Sequence, residues 1–271
     1  MERGLAESRP QAVSLIERGA VLVSGSVADK PSRLVAADEP LELAGPPRRF
    51  VGRGGEKLDA ALARFAIDPR GLRALDAGAS TGGFTDCLLQ AGASSVVAVD
   101  VGRGQLHHRL RRDPRVTCLE RTDIRTVTLA TVGGTPVDLV TADLSFISVT
   151  RAVPVLVGEV ARPGAPVVIL VKPQFEAGRV DVSRGRGVIR DPEVHHRALA
   201  DVATALGAAG AVIMEVMPSP ITGSAGNIEF LLHARAPSTD GSGPTGDGAP
   251  TGLSEMLDAA VAEAHRSTVK G

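Results

Sequence analysis

Leu75-Asp76-Ala77-Gly78-Ala79-Ser80-Thr81-Gly82-Gly83-Phe84 decides the fold. It follows an apolar run that reads as a strand near 72–76, and it opens a helix near 82–91. Glycines here let the backbone turn sharply and approach a ligand that a Cβ would exclude. The next apolar run, near 95–100, ends in Val96-Val97-Ala98-Val99-Asp100. A carboxylate about 20 residues beyond such glycines is placed to accept from both hydroxyls of a nucleoside ribose.

Outward from this stretch, apolar strands alternate with helices. Further strands are expected near 115–118, 137–143, 166–171, 211–217 and 228–234. Helices are expected near 55–66, 104–111, 149–161 and 192–209. Alternation of this kind predicts an α/β fold, Rossmann-like, with a seven-stranded, mostly parallel sheet. A ligand would sit at the carboxyl ends of its strands. The last long helix has Asp191 as N-cap and Pro192 at its first position.

The loop also discriminates between cofactors. Its spacing, Gly78-x-x-x-Gly82-Gly83, departs from the Gly-x-Gly-x-x-Gly of dinucleotide sites. Asp76 puts a carboxylate beside the loop, which suits an ammonium better than a pyrophosphate. The reading is therefore S-adenosyl-L-methionine rather than NAD. Its candidate contacts are Asp76, Gly78, Ser80, Thr81, Gly82, Gly83, Phe84, Asp100 and Val101. Asp123, in Arg121-Thr-Asp-Ile-Arg, is a candidate for the adenine amino group.

Four polar residues stand at element ends in apolar surroundings. Lys57 opens the helix before the first strand of the sheet, and Asp143 ends the fourth. Lys172 ends the fifth, in Val167-Val-Ile-Leu-Val-Lys-Pro173, and Glu229 is early in the last. A charge at the mouth of an apolar strand is costly to desolvate unless it is paired or used. In an open parallel sheet the fourth and fifth strands end beside the cofactor crevice, so Asp143 and Lys172 are expected to converge.

Composition sets the outer limits. The 271 residues carry 43% hydrophobic side chains and a net charge of −1. A core can be buried, and nucleic-acid binding would need local patches. One candidate spans Arg103 to Arg125, with seven arginines. Another is the loop 178–187, which follows Lys172 and carries three arginines. The RNA-facing candidates are Arg3, Arg9, Arg18, Arg53, Arg109, Arg112, Arg184 and Arg186. Tyr and Trp are absent, so a platform of several stacking aromatics is excluded. Phe84, Phe146, Phe175 and Phe230 lie beside the polar motifs, where core packing explains them. His195 and His196, adjacent on a helix, face different directions, and no metal is expected. No run is long enough for a membrane helix. The N-terminus lacks a signal pattern, and Cys87 and Cys118 lie far apart without metal-ligand spacing. A cytoplasmic protein with no membrane partner is expected; the oligomeric state stays open, a monomer being one option.

Five motifs in order now resemble a known family: Arg53-Gly-Gly-Glu-Lys-Leu58, Asp76 to Thr85, Asp143-Leu-Ser-Phe-Ile-Ser148, Val171-Lys-Pro-Gln-Phe-Glu176 and Gly226-Asn-Ile-Glu-Phe230. They look like the TlyA (haemolysin A) family. Its members are ribosomal RNA 2′-O-ribose methyltransferases with an FtsJ-like catalytic domain and an N-terminal S4 RNA-binding domain. The resemblance runs to about residue 235 and implies that Lys57, Asp143, Lys172 and Glu229 are the family's Lys-Asp-Lys-Glu tetrad. It further implies a cytidine ribose in 16S and/or 23S ribosomal RNA as acceptor, with ribosomal subunits as partners. Lys172 would act as base, or as a cation stabilising the developing alkoxide. The alternative is a non-catalytic RNA-binding or ribosome-assembly factor that retains the fold.

The expected domains are an S4-like module over 1–45, N-terminally shortened, and a linker over 46–52. The methyltransferase domain spans 53–236. A flexible linker over 237–253 and a C-terminal helix and tail over 254–271 follow.

Overall fold

The computed structural model describes residues 3–17, 19–28, 30–44, 49–177, 187–238 and 252–268. They divide into two compact units, Met1–Arg49 and Phe50–Gly271.

In the first unit α1 (Arg9–Glu17) precedes a three-stranded antiparallel sheet of order β2-β1-β3. Val23 of β1 (Val21–Val23) pairs with Ser26 of β2 (Ser26–Val27). The two residues between them, Ser24 and Gly25, both have positive φ. That is the conformation a tight hairpin of right-twisted strands requires. Within 34–43 only β3 (Leu41–Leu43) pairs, and Leu34 is 96% exposed. Residues 36–39 instead form a turn held from outside: Arg3 donates to the carbonyls of Ala36, Ala37 and Glu39.

The second unit is built on seven strands: β4 (Arg73–Ala77), β5 (Ser95–Val99), β6 (Val116–Leu119), β7 (Leu139–Ala142), β8 (Pro166–Val171), β9 (Val212–Pro218) and β10 (Phe230–Arg235). Their order is β6-β5-β4-β7-β8-β10-β9. The first five run parallel, and β10 is antiparallel to both neighbours. Strand order reverses between β4 and β7, which opens a crevice at their carboxyl ends.

Side chains along each strand alternate between two apolar layers. Leu75, Val97, Val140, Ile169 and Leu232 face one layer. There they meet α6 (Pro192–Ala208) and α7 (Leu253–Thr268), the latter through Leu257, Ala260, Val261 and Ala264. Ala74, Val96, Leu139, Val168 and Leu231 face the other. That layer is closed by α2 (Gly54–Arg64) and α3 (Gly83–Gln90).

Two expected helices changed form. The segment near 104–111 is helical only in α4 (His108–Arg111). Where 149–161 was read as one helix, the chain makes a 3₁₀ turn at Val149–Arg151 and a π-helical turn at Pro154–Glu159. Pro154 has no N–H to donate to the preceding turn, so a continuous α ladder cannot cross it. By contrast α6 begins as expected: the Asp191 side chain accepts from the Glu193 N–H at 2.9 Å, with Pro192 next. No helix among the described residues is long and apolar enough to cross a membrane.

Candidate active site

The loop after β4 is shaped by the protein's own packing. Gly82 has φ +97°, and a Cβ there would lie 2.3 Å from Leu110. A Cβ on Gly78, at φ +84°, would lie 2.5 Å from the Asp143 carbonyl oxygen. Gly83 abuts Gly54 and Gly55 at the start of α2. The close approach that these glycines permit is to neighbouring backbone and leucines. Phe84, a candidate cofactor contact, is 2% exposed and packs against Gly54, so it buttresses the loop from inside.

Polar groups facing the crevice fit a nucleoside carrying an amino acid. Asp100 holds the loop by accepting from the Ser80 N–H at 2.8 Å and the Gly102 N–H at 2.6 Å. A carboxylate has about four acceptor positions, so two bonds leave room for ribose hydroxyls. A small pocket beside it is lined by Ala79, Ser80, Leu106 and Cys118. Val101, next in sequence, is 67% exposed, and Thr81 is exposed on the loop. Asp76 is wholly buried; one oxygen accepts from Thr85 Oγ1 at 2.6 Å. The other, Oδ1, has no hydrogen-bond partner among the described residues. Burial lifts this carboxyl to about 7, opposed by the Thr85 bond and aided by the nearby Asp143 charge. A buried carboxylate oxygen without a donor is what an ammonium would satisfy, so the residues fit S-adenosylmethionine.

Asp123 does not suit the role expected of it. Both its oxygens bond the Arg125 guanidinium, with an ion pair at 2.5 Å, and the carboxylate caps its own 3₁₀ turn. The Arg125 bond draws its pKa down to about 2. An adenine amine would have to compete with a bidentate cation.

At the other side of the crevice the four charged residues form two ion pairs. Lys172 Nζ lies 2.5 Å from Asp143 Oδ1 and donates to Ser145 Oγ at 2.8 Å. Lys57 pairs with Glu229 inside the protein, the two residues being 7% and 3% exposed. Strand register brings the pairs together. Phe230 faces Val171 across β10 and β8, so Glu229 and Lys172 are the next positions on adjacent strands. Asp143 follows Ala142, and its N–H donates to the Ala77 carbonyl of β4 at 2.8 Å. Glu176, at the end of the short helix α5 (Pro173–Glu176), fixes the Asp143–Ser148 segment by accepting from Ser148 Oγ at 2.5 Å and from the Val149 N–H at 2.9 Å.

One residue had been misjudged. Phe146, expected in the core, is 88% exposed and has φ +70°. Its ring centroid stands 5.7 Å from that of Phe175, over whose ring Lys172 Nζ lies at 5.8 Å. Positive φ in a bulky residue is costly and concentrates at functional sites. The only signal in the sequence was its place three residues after Asp143.

The arginines divide. Arg109 is ion-paired at 3.2 Å with the buried Asp86, Arg115 with Asp113 at 2.7 Å, and Arg111 with Glu120. The stretch from 103 to 125 is thus more nearly neutral than its count of arginines suggests. Arg53 donates to the Thr222 carbonyl, and Arg3 is held by the turn described above. Arg9 and Arg112 are exposed. Arg18, Arg184 and Arg186 lie outside the described residues.

Comparisons with known proteins agree with this geometry. The FtsJ-like methyltransferase family matches residues 50–236, and the S4 domain matches residues 2–40. The 16S/23S rRNA (cytidine-2′-O)-methyltransferase TlyA of Mycobacterium tuberculosis is 48% identical over 236 residues, 87% of each chain. YqxC of Bacillus subtilis is 43% identical over 267 residues, 98% of this chain and 92% of that one. A solved structure from Streptococcus thermophilus, described as a hemolysin, superposes with a TM-score of 0.77 at 37% identity, covering 99% of this chain and 94% of that one. A reversed strand order, a crevice at the carboxyl ends of β4 and β7 and these likenesses lead to one conclusion: the chain belongs to the TlyA (haemolysin A) family of FtsJ-like methyltransferases, with an S4 domain ahead of the catalytic fold.

Proposed function

We propose that this protein transfers a methyl group from S-adenosylmethionine to a ribose 2′-hydroxyl, that of a cytidine in 16S and/or 23S ribosomal RNA. The observation that carries the reading is the pairing of Lys172 with Asp143 beside the crevice, 2.5 Å apart. The cofactor supplies an electrophilic methyl group on a positive sulfonium. Asp100 would hold its ribose and Asp76 its ammonium. The acceptor hydroxyl would receive that methyl group and release its proton to water. Charge builds on that oxygen as its proton departs. Lys172, oriented by Asp143 and Ser145, supplies the fixed donor that stabilises it. Lys57 and Glu229 brace the acceptor side as a closed pair. Phe146 offers an exposed ring for stacking a base drawn out of its helix. A ribosomal substrate implies work in the cytoplasm.

The test is transfer of labelled methyl from S-adenosylmethionine to ribosomal subunits lacking the mark, followed by mapping of 2′-O-methyl positions. Label at a cytidine ribose is expected. RNA binding without label would replace this reading with that of a ribosome-assembly factor.

A further inference from the structure

Resting on that reading, we infer that the turn 223–227 is a positioning device for the Glu229 carboxylate, with Gly223 and Asn227 as its working residues. Gly223 is buried, and its backbone is not in the left-handed region that favours glycine. Conformation alone therefore does not call for glycine here. Space does. A Cβ at this position would lie 2.6 Å from Glu229 Oε1 and 3.2 Å from its carboxyl carbon. Such a contact is cheap where a long side chain can swing away. Glu229 cannot swing freely, because it is 3% exposed and its other oxygen, Oε2, is paired with Lys57.

Asn227 fixes the same turn from its far end. The residue is 2% exposed, and both ends of its carboxamide are bonded. Oδ1 accepts from the Ile189 N–H at 2.8 Å, and Nδ2 donates to the Gly187 carbonyl at 2.9 Å. Its own carbonyl accepts from the Gly223 N–H at 2.8 Å, which closes the turn. The Glu229 carbonyl accepts from the Ser219 N–H at 2.8 Å, so the chain is pinned on both sides of the carboxylate. Side-chain and backbone bonds thus register the turn against the residues leading into α6. The empty position at 223 leaves the acid one place to rest. A buried ion pair is worth its desolvation only when its geometry is held.

The experiment compares Gly223→Ala, Glu229→Asp, Asn227→Asp and the double variant Gly223→Ala with Glu229→Asp. Each is assayed for methyl transfer to ribosomal RNA and for cofactor affinity by calorimetry. Gly223→Ala is expected to lower kcat by roughly tenfold to a hundredfold, the scale for displacing a site group by about 1 Å. Cofactor affinity should stay within about twofold, because the turn lies on the acceptor side. Glu229→Asp withdraws the carboxylate by one methylene from the added methyl, so the double variant should be more active than Gly223→Ala alone. A purely structural role would instead multiply the two losses. Asn227→Asp keeps the acceptor for Ile189 but removes the donor to Gly187, and should lower kcat with little change in the RNA KM. A Gly223→Ala protein with wild-type kcat overturns the inference, as does a double variant whose losses multiply. Should Gly223→Ala fail to fold, an unchanged kcat in Asn227→Asp overturns it equally. Wild-type protein that transfers no methyl at all would overturn the functional reading itself, a separate result.

Discussion

Two lysine–carboxylate pairs of the same chemistry sit at one end of one sheet in different surroundings. In the Lys57–Glu229 pair the side chains are 9% and 3% exposed. In the Lys172–Asp143 pair they are 11% and 22% exposed, beside an outward-facing Phe146. The first pair is sealed by α2, β10 and the turn at Gly223; the second opens onto the crevice. A sealed pair acts as a clamp, because removing one partner strands a charge away from water. An open pair can rehydrate, and it can also meet a substrate. Under the proposed function, that difference favours chemistry at Lys172 and bracing at Lys57.

The largest expected effect tests that assignment directly. Lys172→Ala should lower methyl transfer by about 10²–10⁴-fold, the usual scale for a positioned proton-handling group, while calorimetry still registers cofactor binding. Near-normal turnover would end the distinction. Next in size, Lys57→Ala should cost about 3–5 kcal/mol in urea unfolding, since it leaves the Glu229 carboxylate buried alone. Lys172→Ala should cost clearly less, because Asp143 can hydrate; equal losses would show that the two pairs are alike. Phe146→Ala should raise the RNA KM by an amount equivalent to about 1–3 kcal/mol of base stacking, with the melting temperature unmoved because the ring is exposed.

A further effect concerns Asp76, a buried carboxyl on the cofactor side. Its carboxyl titrates at about 7 when folded, against an ordinary value of 3.8. The folded chain therefore keeps a proton that the unfolded chain has released. Stability of the free protein should fall as pH rises from about 4 to about 7 and level off above. An ammonium favours the ionised form, so cofactor affinity should rise over the same window, by at most about tenfold per pH unit. Asp76→Asn should flatten both dependences. A profile unchanged by that substitution would remove Asp76 from the ammonium site.

Much of this arrangement was legible from residue order. The five parallel strands were readable because buried parallel strands are written as continuous apolar runs, and Lys172 and Asp143 broke two of those runs at their ends. Phe146 and Asp123 were not readable. Whether a phenylalanine beside a motif faces inward depends on one φ angle, and whether a carboxylate is available depends on which arginine reaches it. The helix expected over 149–161 failed for a local reason, a proline whose effect the apolar pattern concealed.

The sequence by itself determined the α/β class, the cofactor end and the four charged positions, because local periodicity and strand-ending charges are properties of the chain. Only the tertiary structure decided which lysine meets which carboxylate, and which of the two pairs is closed to water. Those choices rest on strand order and register, which join residues 172 positions apart, such as Lys57 and Glu229, and no local pattern encodes them.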